Sequence, residues 1–153
     1  VNLSESVYNS RSVAAAAVAA HECGHAVQHA VAYGPLQLRS ALVPVVSFAS
    51  QWVSWILLAG ILTIQSFPQL MLGGIILFAL TTLFSFVTLP VEIDASRRAT
   101  AWLQSAGITT SRDHAMAVSA LRSAAYTYVV AALSSLATLI YYVLIFMGSQ
   151  RDD

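Results

Sequence analysis

His21-Glu22-Cys23-Gly24-His25 has the form H-E-x-x-H and sits in an alanine-rich run, Val13 to Ala32. Residues four apart share a helix face, so His21 and His25 can bind one metal ion together. Glu22 projects about 100° from His21, where it can reach a water on that ion. These residue types at this spacing predict a zinc hydrolase site, with His21 and His25 as ligands and Glu22 as general base. The plainer alternative is a pair of packed histidines, which would have no use for Glu22. Cys23 lies about 200° round the helix from His21 and is expected to stay off the metal.

A catalytic zinc keeps three protein ligands and an open position for water. Glu92 and Asp94 are the only acidic residues between Glu22 and Asp113. They lie about 200° apart on a helix and should not bind the same ion. Arg97 and Arg98 follow Asp94 by three and four residues, which predicts an ion pair for Asp94 rather than ligation. His29 is the local rival to Glu92. It is eight residues from His21, about 12 Å along a straight helix, too far for one zinc to gather all three imidazoles. His29 is expected to pack or hydrogen-bond beneath the site.

The elements that must position these groups are apolar. Of 153 residues, 58% are hydrophobic and 9% charged, against about 25% charged in soluble domains; mean hydropathy is +0.71. The composition predicts an all-α membrane helical bundle, a single domain over 1–153. Uncharged runs at Leu42–Ile64 and Leu70–Leu89 are long enough to span a bilayer core, with Phe67-Pro68-Gln69 as the turn between them; Tyr126–Met147 is the third span. The Val13–Ala32 helix carries ionisable groups and is expected at the membrane surface. Ser12 is its predicted N-cap and Gly34-Pro35 its end. Pro90 predicts a kink or a new first turn, with Gly107 as the C-cap near Ala106. Ser111 is the predicted cap of the next helix. Val1–Glu5 alternates and reads as the end of a strand that could pair with an extended peptide. The start at Val1 rather than Met predicts a missing upstream segment.

Ser47, Ser50, Gln51 and Ser54 form one polar stripe and Thr81, Ser85 and Thr88 another; both are expected to serve close helix packing. Trp52 and Trp55 are read as packing residues. Arg11, Arg39, Arg97, Arg98, Arg112 and Arg122 fall on the side of the histidine helix, and Arg151 falls in the tail. The positive-inside rule then puts the site on the cytoplasmic side and the C-terminus outside. Net charge is zero, which gives a nucleic-acid partner no electrostatic support. One cysteine excludes an intrachain disulfide.

His21-Glu22-Cys23-Gly24-His25-Ala26-Val27-Gln28-His29, a membrane hairpin, and then Pro90-Val91-Glu92-Ile93-Asp94-Ala95-Ser96-Arg97-Arg98-Ala99 together resemble the YugP-type membrane zinc metallopeptidases. The resemblance covers essentially the whole chain and implies one further N-terminal span. That family is similar to the HtpX/Ste24 membrane proteases, which follow H-E-x-x-H with E-x-x-A-D on a later helix. The resemblance implies a gluzincin-like site in which Glu92 is the third zinc ligand and Ala95 matches the alanine. Ser96 stands where those relatives have an Asp that orients a ligand histidine. It further implies a bacterial inner-membrane protein acting on a peptide or protein substrate. An oxyanion donor is needed as well, and His114, Tyr33, Tyr126 and Arg97 are the candidates. Two other classes are open: a membrane scaffold with a structural or vestigial zinc site, and an intramembrane protease of the site-2 type. Glu22 argues against the first. The second lacks support because no Asp-Gly occurs and Glu92 follows the second span.

Overall fold

The computed structural model describes residues 1–150. Among them the fold is all-helical: α1 (Glu5–Tyr8), α2 (Val13–Ala30), α3 (Gly34–Leu62), α4 (Pro68–Ser105) and α5 (Ser111–Ser149). The last three are long and apolar enough to cross a membrane. The expected strand at Val1–Glu5 does not form. Val1–Ser4 takes no regular structure and α1 begins at Glu5. A five-residue alternation has no ladder to hold it without a second strand.

Helix ends follow local chemistry. Ser12 caps α2 as expected, its hydroxyl accepting from the Ala15 N–H at 3.1 Å. The far end differs from expectation. Gly34-Pro35 opens α3 instead of closing α2, and Pro suits a first turn because its missing N–H is not needed there. Closure falls to Ala32, at φ 52°. The Ala32 N–H reaches the His29 carbonyl at 3.2 Å, and the Tyr33 N–H reaches that of Gln28 at 2.9 Å. That bond pair is a Schellman cap, usually built on glycine. The same cap ends α4 with Gly107 at φ 65°, through Gly107 to Gln104 and Ile108 to Leu103, each at 3.1 Å. At α5 the cap is Thr110 rather than Ser111. Its hydroxyl accepts from the Asp113 N–H at 3.2 Å and donates to the Asp113 carboxylate at 2.7 Å.

The turn before α4 spans Thr63–Phe67, and Pro68 is the helix's first residue. Pro90 does not start a new helix; α4 runs through it. Pro90 denies the Phe86 carbonyl its helical partner, one loss in a 38-residue helix that the adjoining turns absorb.

Contacts divide the chain into two units: residues 1–38 with 88–129, and residues 39–87 with the segment from 130 onward. The first unit has a core of small side chains, Ala17 and Ala20 from α2, Ala99 and Leu103 from α4, Ala117 and Leu121 from α5. In the second, Val53 and Leu57 of α3 pack on Met71 and Ile75 of α4, with Phe78, Leu139 and Tyr142 around them. There Thr82 and Ser135 share a 2.7 Å hydrogen bond between α4 and α5. Thr81 and Ser85 bond back to carbonyls of α4 itself. The other stripe departs from expectation. Ser47, Ser50, Gln51 and Ser54 are exposed rather than packed. Trp52 and Trp55 are also exposed, at 50% and 68%. Val53 and Leu57 take the packed face of α3, and the tryptophans flank it at positions a helix turns outward.

Candidate metal centre

The first unit brings α2 and α4 together at Gly24. A Cβ there would stand 2.5 Å from the Ala95 carbonyl oxygen, so only glycine allows this approach. The crossing explains the grouping of side chains. His21 and His25 lie three before and one after Gly24. Glu92 and Ser96 stand in the same relation to Ala95. Side chains at these offsets flank a helix contact and meet across it.

His21 Nε2 lies 3.2 Å from Glu92 Oε2, and His25 Nε2 lies 3.6 Å from the same oxygen. One donor atom from each residue falls within 4.8 Å of the others. Bonds of about 2.1 Å to a tetrahedral zinc separate its ligand atoms by about 3.4 Å. Two imidazole nitrogens and a carboxylate oxygen fit zinc in number and kind, and the two distances to Glu92 lie either side of that spacing. The histidine side chains are 16% and 19% exposed, while Glu92 is 4% exposed. The cluster is thus open on the histidine side and anchored on the glutamate side. The Glu92 carboxylate raises the His25 pKa above its ordinary value, against the opposing effect of burial. The same negative charge that draws a proton to His25 favours a bound cation.

Each histidine has a partner behind it. Ser96 Oγ is 3.1 Å from His21 Nδ1, at the position where the sequence comparison left an orienting group open. His25 Nδ1 is 2.9 Å from Gln28 Oε1. Gln28 is fully buried. Its amide nitrogen donates to the Val91 carbonyl at 2.8 Å and to Asp94 at 2.9 Å. Asp94 takes the expected ion pair with Arg98, at 2.6 Å. Gln28 was not singled out from the sequence, although it lies three residues after His25 and so on a neighbouring face.

The other residues separate from the cluster. His29 is exposed rather than packed beneath it; eight residues carry it more than two turns from His21. Cys23 lines a cavity with Arg98 and Trp102. Tyr33 lies under the Arg98 guanidinium, 5.9 Å from ring centre. The Tyr126 hydroxyl accepts from Arg122 at 3.0 Å. His114 Nδ1 is shielded without a hydrogen-bond partner among the described residues. Arg97 and Tyr126 belong to a groove of about 330 Å³ between α4 and α5, which also includes Ile93, Ser96, Leu121 and Arg122.

Residues 1–147 match the family described as "Putative neutral zinc metallopeptidase". The chain belongs to that family. Over all 153 residues it is 43% identical to the "Putative membrane protease YugP" of Bacillus subtilis (strain 168), and the match covers 67% of that protein. No solved structure matches significantly. The three apolar helices and the membrane-protease relative make this family member an integral membrane protein. Zinc, which the family description carries, fits the three donors found at the α2–α4 crossing.

Proposed function

We propose that this chain is a membrane-bound zinc metalloendopeptidase of gluzincin-like type, a single domain to which both units contribute. His21, His25 and Glu92 hold the metal and Glu22 is the general base. The convergence of two Nε2 atoms on one Glu92 oxygen carries this reading. Zinc bound there supplies Lewis acidity, polarising a peptide carbonyl and lowering the pKa of a water to about 7. Glu22 accepts a proton from the attacking water as its oxygen adds to the carbonyl carbon. Glu22 then returns that proton to the nitrogen as the C–N bond breaks, leaving a carboxylic acid and an amine. Ser96 and Gln28 keep the histidine rings oriented. A structural zinc site would have no use for Glu22 beside its ligands.

The site faces the cytoplasm of a bacterial inner membrane on this reading. Five of the arginines behind it, Arg11, Arg97, Arg98, Arg112 and Arg122, lie in the unit that holds the cluster, and Arg39 begins the other. Arg151 lies outside the described residues. Sealed membrane vesicles of both orientations test activity and sidedness together. Inside-out vesicles should hydrolyse an added unstructured protein, and right-side-out vesicles should not. Glu22→Gln should retain zinc and lose about 10²–10⁴-fold in rate. Near-normal turnover of zinc-loaded Glu22→Gln would remove the assigned base, and activity confined to right-side-out vesicles would invert the topology.

A further inference from the structure

Gln28 is wholly buried in a unit whose core is otherwise mostly alanine and leucine. A buried amide without partners costs roughly 1–3 kcal/mol in proteins. Here both amide hydrogens and the amide oxygen face partners, and the partners' chemistry fixes which way the amide points. The Val91 carbonyl can only accept. The Asp94 carboxylate, held by Arg98 at 2.6 Å, can also only accept. Both lie within 2.9 Å of Gln28 Nε2, at 2.8 and 2.9 Å. The two amide hydrogens are therefore committed, and the oxygen must be the atom facing His25 Nδ1 at 2.9 Å. An amide oxygen cannot donate. Nδ1 of His25 must carry the hydrogen, which leaves Nε2 of the neutral ring with its lone pair directed at the cluster.

The geometry points to Gln28 as a positioning residue that locks His25 in its metal-binding tautomer and ties that ring to the backbone of the helix bearing Glu92. The inference rests on the reading of His21, His25 and Glu92 as a zinc site. It assigns the two histidines different supports. Ser96 can donate to His21 Nδ1 or accept from it, so it does not by itself set the tautomer. Gln28 does not. Through Val91, the residue just before Glu92, Gln28 also couples the angle of the His25 ring to the position of the third ligand. Asp94 acts one step further out, by fixing the amide.

Nitrogen-15 NMR of histidine-labelled protein, metal-free in detergent at a pH where the rings are neutral, reads the tautomer without reference to zinc. Wild-type His25 should carry its proton on Nδ1; an Nε2–H signal there overturns the inference whether or not the protein binds zinc. Gln28→Met keeps the length and removes the hydrogen bonds. It should release the tautomer and weaken zinc binding about 10–100-fold in competition with a chelator. Folded Gln28→Met with wild-type zinc affinity also overturns it. Gln28→Glu retains an acceptor for His25 but sets a carboxylate against both Asp94 and the Val91 carbonyl, so it should bind zinc weakly. Adding Asp94→Asn supplies an amide donor to that carboxylate, leaves the Val91 carbonyl unpaired, and should recover part of the lost affinity. A double variant no better than Gln28→Glu alone contradicts the network, and this pair decides the matter if Gln28→Met does not fold. Wild-type protein with Nδ1–H on His25 but no zinc binding would leave the hydrogen-bond lock standing and remove both its metal-binding purpose and the proposed peptidase.

Discussion

Two helix crossings in this chain depend on a glycine, and they serve different ends. At Gly24 an added Cβ would meet the Ala95 carbonyl oxygen at 2.5 Å; at Gly60 it would meet Met71 Cα at 2.7 Å. The second crossing is bordered by Val53, Leu57 and Ile75 and yields a packed apolar core. The first is bordered by His21, His25, Gln28, Glu92 and Ser96, which meet in hydrogen bonds. Backbone proximity is the shared device. Side chains that fill space need it only for packing. At the polar crossing the close approach at Gly24 sets an imidazole of α2 beside a carboxylate of α4. The proposed site in this largely apolar chain lies where a glycine contact has polar residues one and three positions away.

The sharpest test removes a ligand from the polar crossing. Glu92→Ala should lose most bound zinc, since two histidines alone make an incomplete site. His29→Ala should retain it, because His29 is exposed and separate from the His21, His25, Glu92 group. Zinc stoichiometry of both purified, folded variants measures this. Full occupancy in Glu92→Ala with loss in His29→Ala would reverse the assignment.

Substituting the glycines themselves separates the two crossings. Gly24→Ala and Gly60→Ala each force a methyl against backbone, an overpacking that typically costs about 1–3 kcal/mol. Roughly 1 kcal/mol of that is offset by the better helix propensity of alanine. Both should melt earlier in detergent, but only Gly24→Ala should also lower zinc occupancy. Gly73→Ala is the control, because nothing lies within 4 Å of its Cβ position. If Gly24→Ala melts and binds zinc as wild type does, the crossing does not set the ligand geometry.

Much of this could be read from residue order, and what could not has physical causes. The histidine helix, its Ser12 cap, the long apolar helices and the Asp94–Arg98 pair follow from periodicity and i,i+4 spacing, which are local. The meeting of Glu92 with His21 and His25 is not local. It was reached through resemblance, and the structure supplies the Gly24–Ala95 contact behind it. Gln28 escaped because a lone glutamine carries no pattern; its meaning depends on Val91 and Asp94, more than sixty residues away. Trp52, Trp55 and the Ser47–Ser54 stripe were misplaced for a related reason. Outside that stripe the spanning part of α3 is apolar all round, and small polar residues can either pack or stay exposed, so hydropathy does not select the face that packs. Of the two readings open at Pro90, a new first turn does not occur, because the penalty for one missing hydrogen bond is small beside the stabilisation of a long helix in an apolar setting.

The smallest effect concerns how the helices of the polar crossing end. α2 and α4 use the same Schellman cap, yet α4 places Gly107 at φ 65° and α2 places Ala32 at φ 52°. An L-residue in that left-handed region meets its own carbonyl, a penalty of about 1–2 kcal/mol. Glycine avoids the clash but loses about 0.5–1 kcal/mol more conformational freedom on folding. Ala32→Gly should therefore stabilise the protein by a few tenths to about 1 kcal/mol. Gly107→Ala should destabilise it by a similar amount. Neither should change zinc occupancy, because Ala32 and Gly107 lie outside the polar crossing. Thermal unfolding of both variants in one detergent gives the signs. A lower melting temperature for Ala32→Gly would mean that Ala32 is not held in the left-handed conformation, and the closure of α2 at the Gln28 and His29 carbonyls would need another account.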